Sequence, residues 1–124
     1  MKIEHEFTFE AAHRLQLLPE AHKCHNLHGH NYKVVVVVDG PLEPMIGWVQ
    51  DYAVIEGAFD AVIKSQVDHK YLNDVLDCHT TAENLAIWIY NRLKIALPWL
   101  SEIRVHETPP TCVIYRGEFG DKCG

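Results

Sequence analysis

From Ile3 onward the chain alternates without a break: Ile3, His5, Phe7, Phe9, Ala11 and His13 share one parity, and Glu4, Glu6, Thr8 and Glu10 share the other. A period of two puts the two sets on opposite faces of a β-strand, one mostly apolar and one mostly charged. A second strand is expected over residues 28–38, and its valines, Val34 to Val38, are apolar on both parities, so both of its faces are expected to be covered. Residues 17–27 between the strands have no period and contain Pro19, which reads as a surface loop. Asp39-Gly40-Pro41 closes the second strand with residue types that favour a turn.

Beyond the turn, Ile46-Gly47-Trp48-Val49 is expected to return as a short strand. Asp51 is placed to cap a helix whose apolar residues Ile55, Ala58, Phe59, Val62 and Ile63 recur three or four apart. After a polar connection, Thr80 and Glu83 have capping-box spacing ahead of a second helix carrying Leu85, Ile89, Leu93 and Ala96, which Pro98 prevents from continuing. Residues 102–108 and 111–116 read as two further strands separated by Pro109-Pro110, and residues 117–124 as a loose tail. Strand runs segregated from helix runs predict an α+β domain, a four-stranded antiparallel sheet with two helices on one face. Such a sheet has two open edges, and β-branched edges suit pairing with another copy.

The chain has 124 residues, with 11 Lys and Arg against 17 Asp and Glu, giving a formal charge of -6. That length suits one domain, and the acidic balance disfavours nucleic acid, whose phosphates are bound by clustered Lys and Arg. No apolar stretch approaches a membrane span, and no export signal is readable at the start. The cytoplasm follows as the expected location, and Cys24, Cys78, Cys112 and Cys123 as free thiols.

His28 and His30 lie two apart in the second strand, so their imidazoles leave one face about 7 Å apart along the backbone. His13 ends the first strand, and an antiparallel neighbour brings it opposite them. Three imidazoles with an open fourth position suit a catalytic zinc, with Zn–N of about 2.0–2.1 Å. Two plainer readings stand beside this one. The triplet can be a strand entry with solvent-facing rings, or Cys24 can complete a closed structural site.

Cys24 follows Lys23 in a polar loop, a setting that favours the thiolate and thus a base or nucleophile. Asp68-His69 at the end of the first helix can orient an imidazole only if the two side chains meet; the alternative is a histidine set against the helix dipole. Glu107 shares parity with Ile103 and Val105, which places an acid on the face its neighbours mark as buried. A planar ligand with two parallel N–H groups, such as the amino-amide edge of a pterin or guanine, would satisfy it; otherwise the strand emerges into solvent there.

Phe9-Glu10-Ala11-Ala12-His13-Arg14-Leu15, Cys24 three residues ahead of His28-Gly29-His30-Asn31-Tyr32, Asp68-His69-Lys70-Tyr71-Leu72-Asn73, His106-Glu107-Thr108 and Tyr115-Arg116-Gly117-Glu118 together resemble the 6-pyruvoyltetrahydropterin synthase family. The three-residue spacer after the thiol is similar to the 6-carboxytetrahydropterin synthase branch, which serves queuosine and other 7-deazapurine biosynthesis. The resemblance implies Zn2+ on His13, His28 and His30, Cys24 as general base, Asp68 and His69 as its relay, and Glu107 as pterin anchor grouped with that relay. It implies a tunnelling fold over residues 1–118, with a tail over 119–124, closing into a β-barrel in a homohexamer built as a dimer of trimers. The implied substrate is the pterin 7,8-dihydroneopterin triphosphate. A pyruvoyl product, or a zinc-binding assembly module without catalysis, are the alternatives. Arg14, Lys23 and Lys33 are candidates for the triphosphate, and His25 departs from the branch pattern as a possible competitor for metal.

Overall fold

The computed structural model describes residues 1–120. Strand β1 (Lys2–His13) runs antiparallel to β2 (His28–Asp39), from Lys2 opposite Asp39 to His13 opposite His28. Exposure alternates along β1 as its sequence requires. Helix α1 (Tyr52–Phe59), a wider π turn (Asp60–Lys64) and the short α2 (Ser65–Val67) follow one another. Ile55, Phe59, Ile63 and Val67 are all buried. A spacing of four overshoots a helical turn of about 3.6 residues, and the wider turn takes up that drift, keeping the four on one side. The two-residue strand β3 (Lys70–Tyr71), helix α3 (Ala82–Ala96), and strands β4 (Leu100–His106) and β5 (Val113–Tyr115) complete the chain.

The sheet order is β3-β1-β2-β4-β5, with β3 parallel to β1 and every other pair antiparallel. The α+β class stands, but the sheet is mixed and has five strands, because the polar connection after α2 lays Lys70 and Tyr71 beside Ala11 and Ala12. The return strand expected at 46–49 does not form. Glu43 folds that segment onto itself: its carboxylate accepts from the Met45 and Ile46 amides, and its backbone bonds Gly47 and Trp48. The second helix starts one residue later than the Thr80 capping box, since Thr81 accepts from the Asn84 amide and Thr80 is buried instead. Its last buried residue is Leu93; Ala96 is exposed, and Leu97, the capping residue just past the helix, is buried instead. Within the expected tail, Phe119 stacks on Tyr115 and Asn91 donates to the Gly120 carbonyl, and residues 121–124 lie outside the described residues. Among the described residues no helix is long and apolar enough to cross a membrane.

Both parities of the valine run are covered, by different means. Val34, Val36 and Val38 join the helix-backed core. On the other face Val35 and Val37 are buried at 3% and 2% exposure beneath charged side chains. Arg104 on β4 reaches across β2 to Glu4 on β1 at 3.3 Å, and also bonds Glu102, which Arg116 holds at 2.9 Å. The stems of these residues cover the valines while their charged ends pair. Burial pushes the Glu102 carboxyl up, but the hydrogen bonds and charges of Arg104 and Arg116 outweigh it and hold the group below the usual carboxylate range. Its stabilisation is therefore full above the unfolded carboxylate value and lost as pH falls through the lowered folded one. Glu102→Gln is expected to cost about 1–3 kcal/mol at neutral pH, with the exposed Arg116 contributing least because solvent screens it. Urea unfolding of both forms across the acid range checks this: the gap should close on acidification.

Candidate active site

The β1–β2 register sets His13 directly opposite His28 and Ala11 opposite His30. Position parity then turns all three imidazoles to the helix-covered face. Their ligand nitrogens lie within 4.8 Å of one another, and the ring centroids are 4.5 to 5.1 Å apart. The reading of a strand entry with solvent-facing rings does not describe His13, which is fully buried. Cys24 is not part of the convergent group.

Second partners orient two of the rings. His13 Nδ1 donates to the Thr80 carbonyl at 2.8 Å, with the Thr80 hydroxyl at 3.2 Å, and His28 Nδ1 donates to the Asn26 carbonyl at 2.7 Å. A carbonyl only accepts, so in the neutral rings the proton is on Nδ1 and Nε2 presents its lone pair. Nε2 of His13 and of His30 are buried with no hydrogen-bond partner. Burial holds both imidazoles below their ordinary range, against the opposing charge of Glu107. Neutral, oriented and unsatisfied nitrogens of this kind fit a divalent metal with imidazole preference.

Glu107 lies just past the end of β4, still on the inward parity of Ile103 and Val105. Its carboxylate stands 3.3 Å from His30 Nε2 and 3.9 Å from His13 Nε2. It also lines a cavity of about 550 Å³ with Leu15, Thr81, Glu83 and Cys112. Tyr32, two residues beyond His30, is buried with its hydroxyl unpartnered; burial and then Glu107 push its phenol up.

Asp68 and His69 do not join this group. Asp68 accepts from the Glu10 amide at 3.1 Å, and the His69 amide donates to the Glu10 carbonyl at 2.6 Å. These bonds hold His69 at φ 56°, a left-handed conformation that an isolated residue would leave. The His69 ring is exposed, with Nδ1 3.8 Å from the Glu10 carboxylate and Nε2 3.8 Å from Asp68, beyond hydrogen-bonding reach. Glu10 and His13 have opposite parity, so the His69 ring, beside the Glu10 carboxylate, is set toward the outward side of β1 while the three imidazoles turn inward. His69 instead lines a second cavity of about 580 Å³ with Glu10, Gly29, His30, Asn31 and Tyr71, so this cavity touches one residue of the imidazole group.

Cys24 is a half-buried free thiol in a short 3-10 turn (Lys23–His25). The loop is fixed at several points. The Leu15 amide donates to the Cys24 carbonyl at 2.8 Å and the Cys24 amide donates to His22 Nδ1 at 3.0 Å. His25 Nδ1 donates to the Leu18 carbonyl at 2.9 Å, and Arg14 donates to His25 Nε2 at 3.1 Å. Both His25 nitrogens are thus used, which removes it as a competitor for metal. Cys112 is also free, whereas Cys78 is disulfide-bonded, contrary to the free-thiol expectation, because sequence spacing does not show which sulfurs a fold brings together. Cys123 lies outside the described residues.

Sequence reasoning missed Thr80, Asn26 and Asn73 as supports. Asn73 clamps the Arg14 backbone from both sides, accepting from its amide at 3.1 Å and donating to its carbonyl at 2.9 Å. Thr80 stood out in sequence only as a helix cap, and a backbone carbonyl leaves no residue-type signal at all.

A helix-backed α+β sheet carrying three inward imidazoles beside a cavity defines a metal-site enzyme scaffold. A family model described as 6-pyruvoyl tetrahydropterin synthase matches residues 2–118, and the chain belongs to that family, whose members act on pterins. A 6-pyruvoyl tetrahydrobiopterin synthase of Poecilia reticulata is 41% identical, over 90% of this chain and 86% of that one. A 6-carboxy-5,6,7,8-tetrahydropterin synthase of Synechocystis sp. is 38% identical, over 89% and 88%. The structure of Caenorhabditis elegans 6-pyruvoyl tetrahydropterin synthase superposes with a TM-score of 0.86 at 31% identity, covering 95% of this chain and 96% of that one.

The Arg14–His25 contact generates a prediction. His25→Ala should free the loop and speed iodoacetamide alkylation of Cys24, mapped by peptide mass spectrometry, roughly fivefold for a hydrogen bond of about 1 kcal/mol. His25→Gln, which keeps a donor and an acceptor, should remain near the parent rate.

Proposed function

We propose that the chain is a cytoplasmic, zinc-dependent 6-carboxy-5,6,7,8-tetrahydropterin synthase of queuosine and 7-deazapurine biosynthesis. It would convert 7,8-dihydroneopterin triphosphate and one water to 6-carboxytetrahydropterin, acetaldehyde and triphosphate. The observation that carries this reading is the trio His13, His28 and His30, with lone pairs turned inward by carbonyl bonds at Nδ1 on two of them. Zinc held by those three residues would supply Lewis acidity toward the side-chain oxygens of the substrate, making an adjacent C–H more acidic.

Cys24 takes that proton as general base, from a loop tied to Leu15 and Arg14 next to His13. Proton movements shift reducing equivalents from the side chain into the ring and triphosphate leaves by elimination; one water then adds to the carbonyl next to the ring, and carbon-carbon cleavage releases the two-carbon fragment as acetaldehyde while the ring keeps a carboxylate. Glu107, on the rim of its cavity, accepts the two parallel N–H groups of the pterin edge and orients the ring. Asp68 and His69 serve as the relay for Cys24. Since the His69 ring is set toward the outward side of β1, away from the inward-turned imidazoles of its own chain, the His69 that serves a given Cys24 belongs to a neighbouring subunit. The unpaired edges support such assembly: β3 covers β1 only at Ala11 and Ala12, and β5 borders no further strand. A homohexamer formed as a dimer of trimers, each closed into a barrel, meets this need. Of the candidate cations for triphosphate, Arg14 is engaged by His25 and Lys33 faces Glu6 at 3.7 Å, which leaves Lys23 the freest of the three among the described residues.

The three-residue spacer between Cys24 and His28 favours the carboxy product. The 41% identity to a protein named as a pyruvoyl synthase favours the second reading, elimination of triphosphate with the side chain retained. Incubation of the zinc-loaded protein with 7,8-dihydroneopterin triphosphate, followed by mass spectrometry, separates the two. 6-Carboxytetrahydropterin with acetaldehyde is expected, a pyruvoyl product would establish the second reading, and absence of both would overturn the enzyme proposal. Cys24→Ala is expected to keep its zinc content and lose about 10²- to 10⁴-fold in turnover.

A further inference from the structure

The position of Glu107 is not explained by a grip on the ligand alone. Its carboxylate faces the imidazoles, at 3.3 Å from His30 Nε2 and 3.9 Å from His13 Nε2, yet hydrogen-bonds neither nitrogen. At His13 no such bond is available to the neutral ring, because its proton is committed to the Thr80 carbonyl at 2.8 Å. A lone pair and a carboxylate oxygen therefore confront each other at a site where His13 is fully buried. Two electron-rich atoms so placed repel unless a cation lies between them. The spacing agrees with that: ligand atoms at adjacent corners of a tetrahedral zinc site, each about 2.0–2.1 Å from the ion, are about 3.3 Å apart. The convergent group comprises the three imidazoles without Glu107, so the carboxylate would close further around an ion, as the imidazoles themselves must.

The same carboxylate lines the cavity beside Thr81 and Cys112. A single side chain thus stands between the metal group and the ligand cavity, and it cannot serve both at once.

The geometry points to Glu107 as a fourth, displaceable metal ligand: it closes the three-imidazole site at rest, and a ligand with two parallel N–H groups draws it into the cavity and opens the vertex. The inference rests on the proposed metal site. Its consequence is that ring recognition and metal access are coupled through one side chain. A molecule with a reactive oxygen but no amino-amide edge would meet a closed ion, and occupation of the cavity by the ring would ready the ion for the side chain. Reciprocally, an ion that holds Glu107 weakens ring binding, so the two events share one coupling free energy.

The experiment uses the full chain loaded with Co2+ in place of zinc and reads the visible d–d bands while imidazole, a neutral ligand, is titrated in. The parent protein should resist imidazole. Glu107→Ala should bind it about tenfold more tightly or better, the order of effect seen when a residue supporting a metal is removed. Glu107→Asp keeps the charge but withdraws it by one methylene, so opening in this variant as well assigns the effect to ligation rather than to charge. Unsubstituted pterin, which has the amino-amide edge and neither side chain nor phosphate, should open the parent to imidazole and leave Glu107→Ala unchanged. Equal imidazole affinity in the parent and in Glu107→Ala would overturn the inference. An open alanine variant with a parent indifferent to pterin would overturn the coupling. If Co2+ binds neither the parent nor any variant, or binds His13→Ala as tightly as the parent, the metal site itself fails; the product assay above tests the reaction separately.

Discussion

The antiparallel register between β1 and β2 is the constraint on which the rest depends. His13 opposite His28 and Ala11 opposite His30 is one pairing among several that two long strands allow. A slip of one residue would turn His28, His30, Tyr32 and the even-numbered valines to the charged face and would scatter the imidazoles. The register is held along its length by the apolar set of β1, with Phe9 stacked on Tyr32 and Phe7 stacked on Phe59 of α1. The hydrophobic core and the candidate metal group are thus one continuous inward face, apolar at the valine end and polar at the histidine end.

That continuity explains the electrostatics of the site. Lone pairs buried beside a packed core have lost water, and the carbonyls of Thr80 and Asn26 satisfy only the Nδ1 side of two rings. What remains at Nε2 is unmet coordinating capacity, with a carboxylate set against it. A fold that leaves such groups unpaired loses stability there unless a bound ion repays it. The Glu10 backbone serves the β1 edge, holding Asp68 and the left-handed His69 beside the strand, with the His69 ring near the outward Glu10 carboxylate. One strand therefore presents two chemistries on its two sides. They act on one substrate only if the outward side of one chain meets the inward side of another.

Much of the fold was legible because period and parity are local properties. The strands β1 and β2, the Asp51 cap and the apolar stripe from Ile55 to Ile63 follow directly from residue order. Errors arose where a side chain chose among several local partners. Glu43 turned an apparent strand into a compact loop, and Thr81 rather than Thr80 capped α3 because the Thr80 side chain and carbonyl turned to His13. At the site, His13, His28, His30 and Glu107 were legible as residue types at suggestive positions, and the structure brings them together. His25 was not, since nothing in its neighbours foretells a bond to Arg14 eleven residues away.

By itself the sequence determined which residues face the same way, because a strand sends alternate side chains to opposite sides whatever surrounds it. It also determined the supply of chemistry: imidazoles, one thiol in a polar loop, and an acid on an apolar parity. Only the tertiary structure decided that the His69 ring sits on the outward side of β1, away from the inward-turned imidazoles, that His25 is occupied, and that Glu107 confronts the Nε2 atoms of His13 and His30. Each of these is a relation between segments distant along the chain. Such a relation depends on which strands pair and at what offset, and that is set by the packing of the whole domain rather than by any one segment's periodicity.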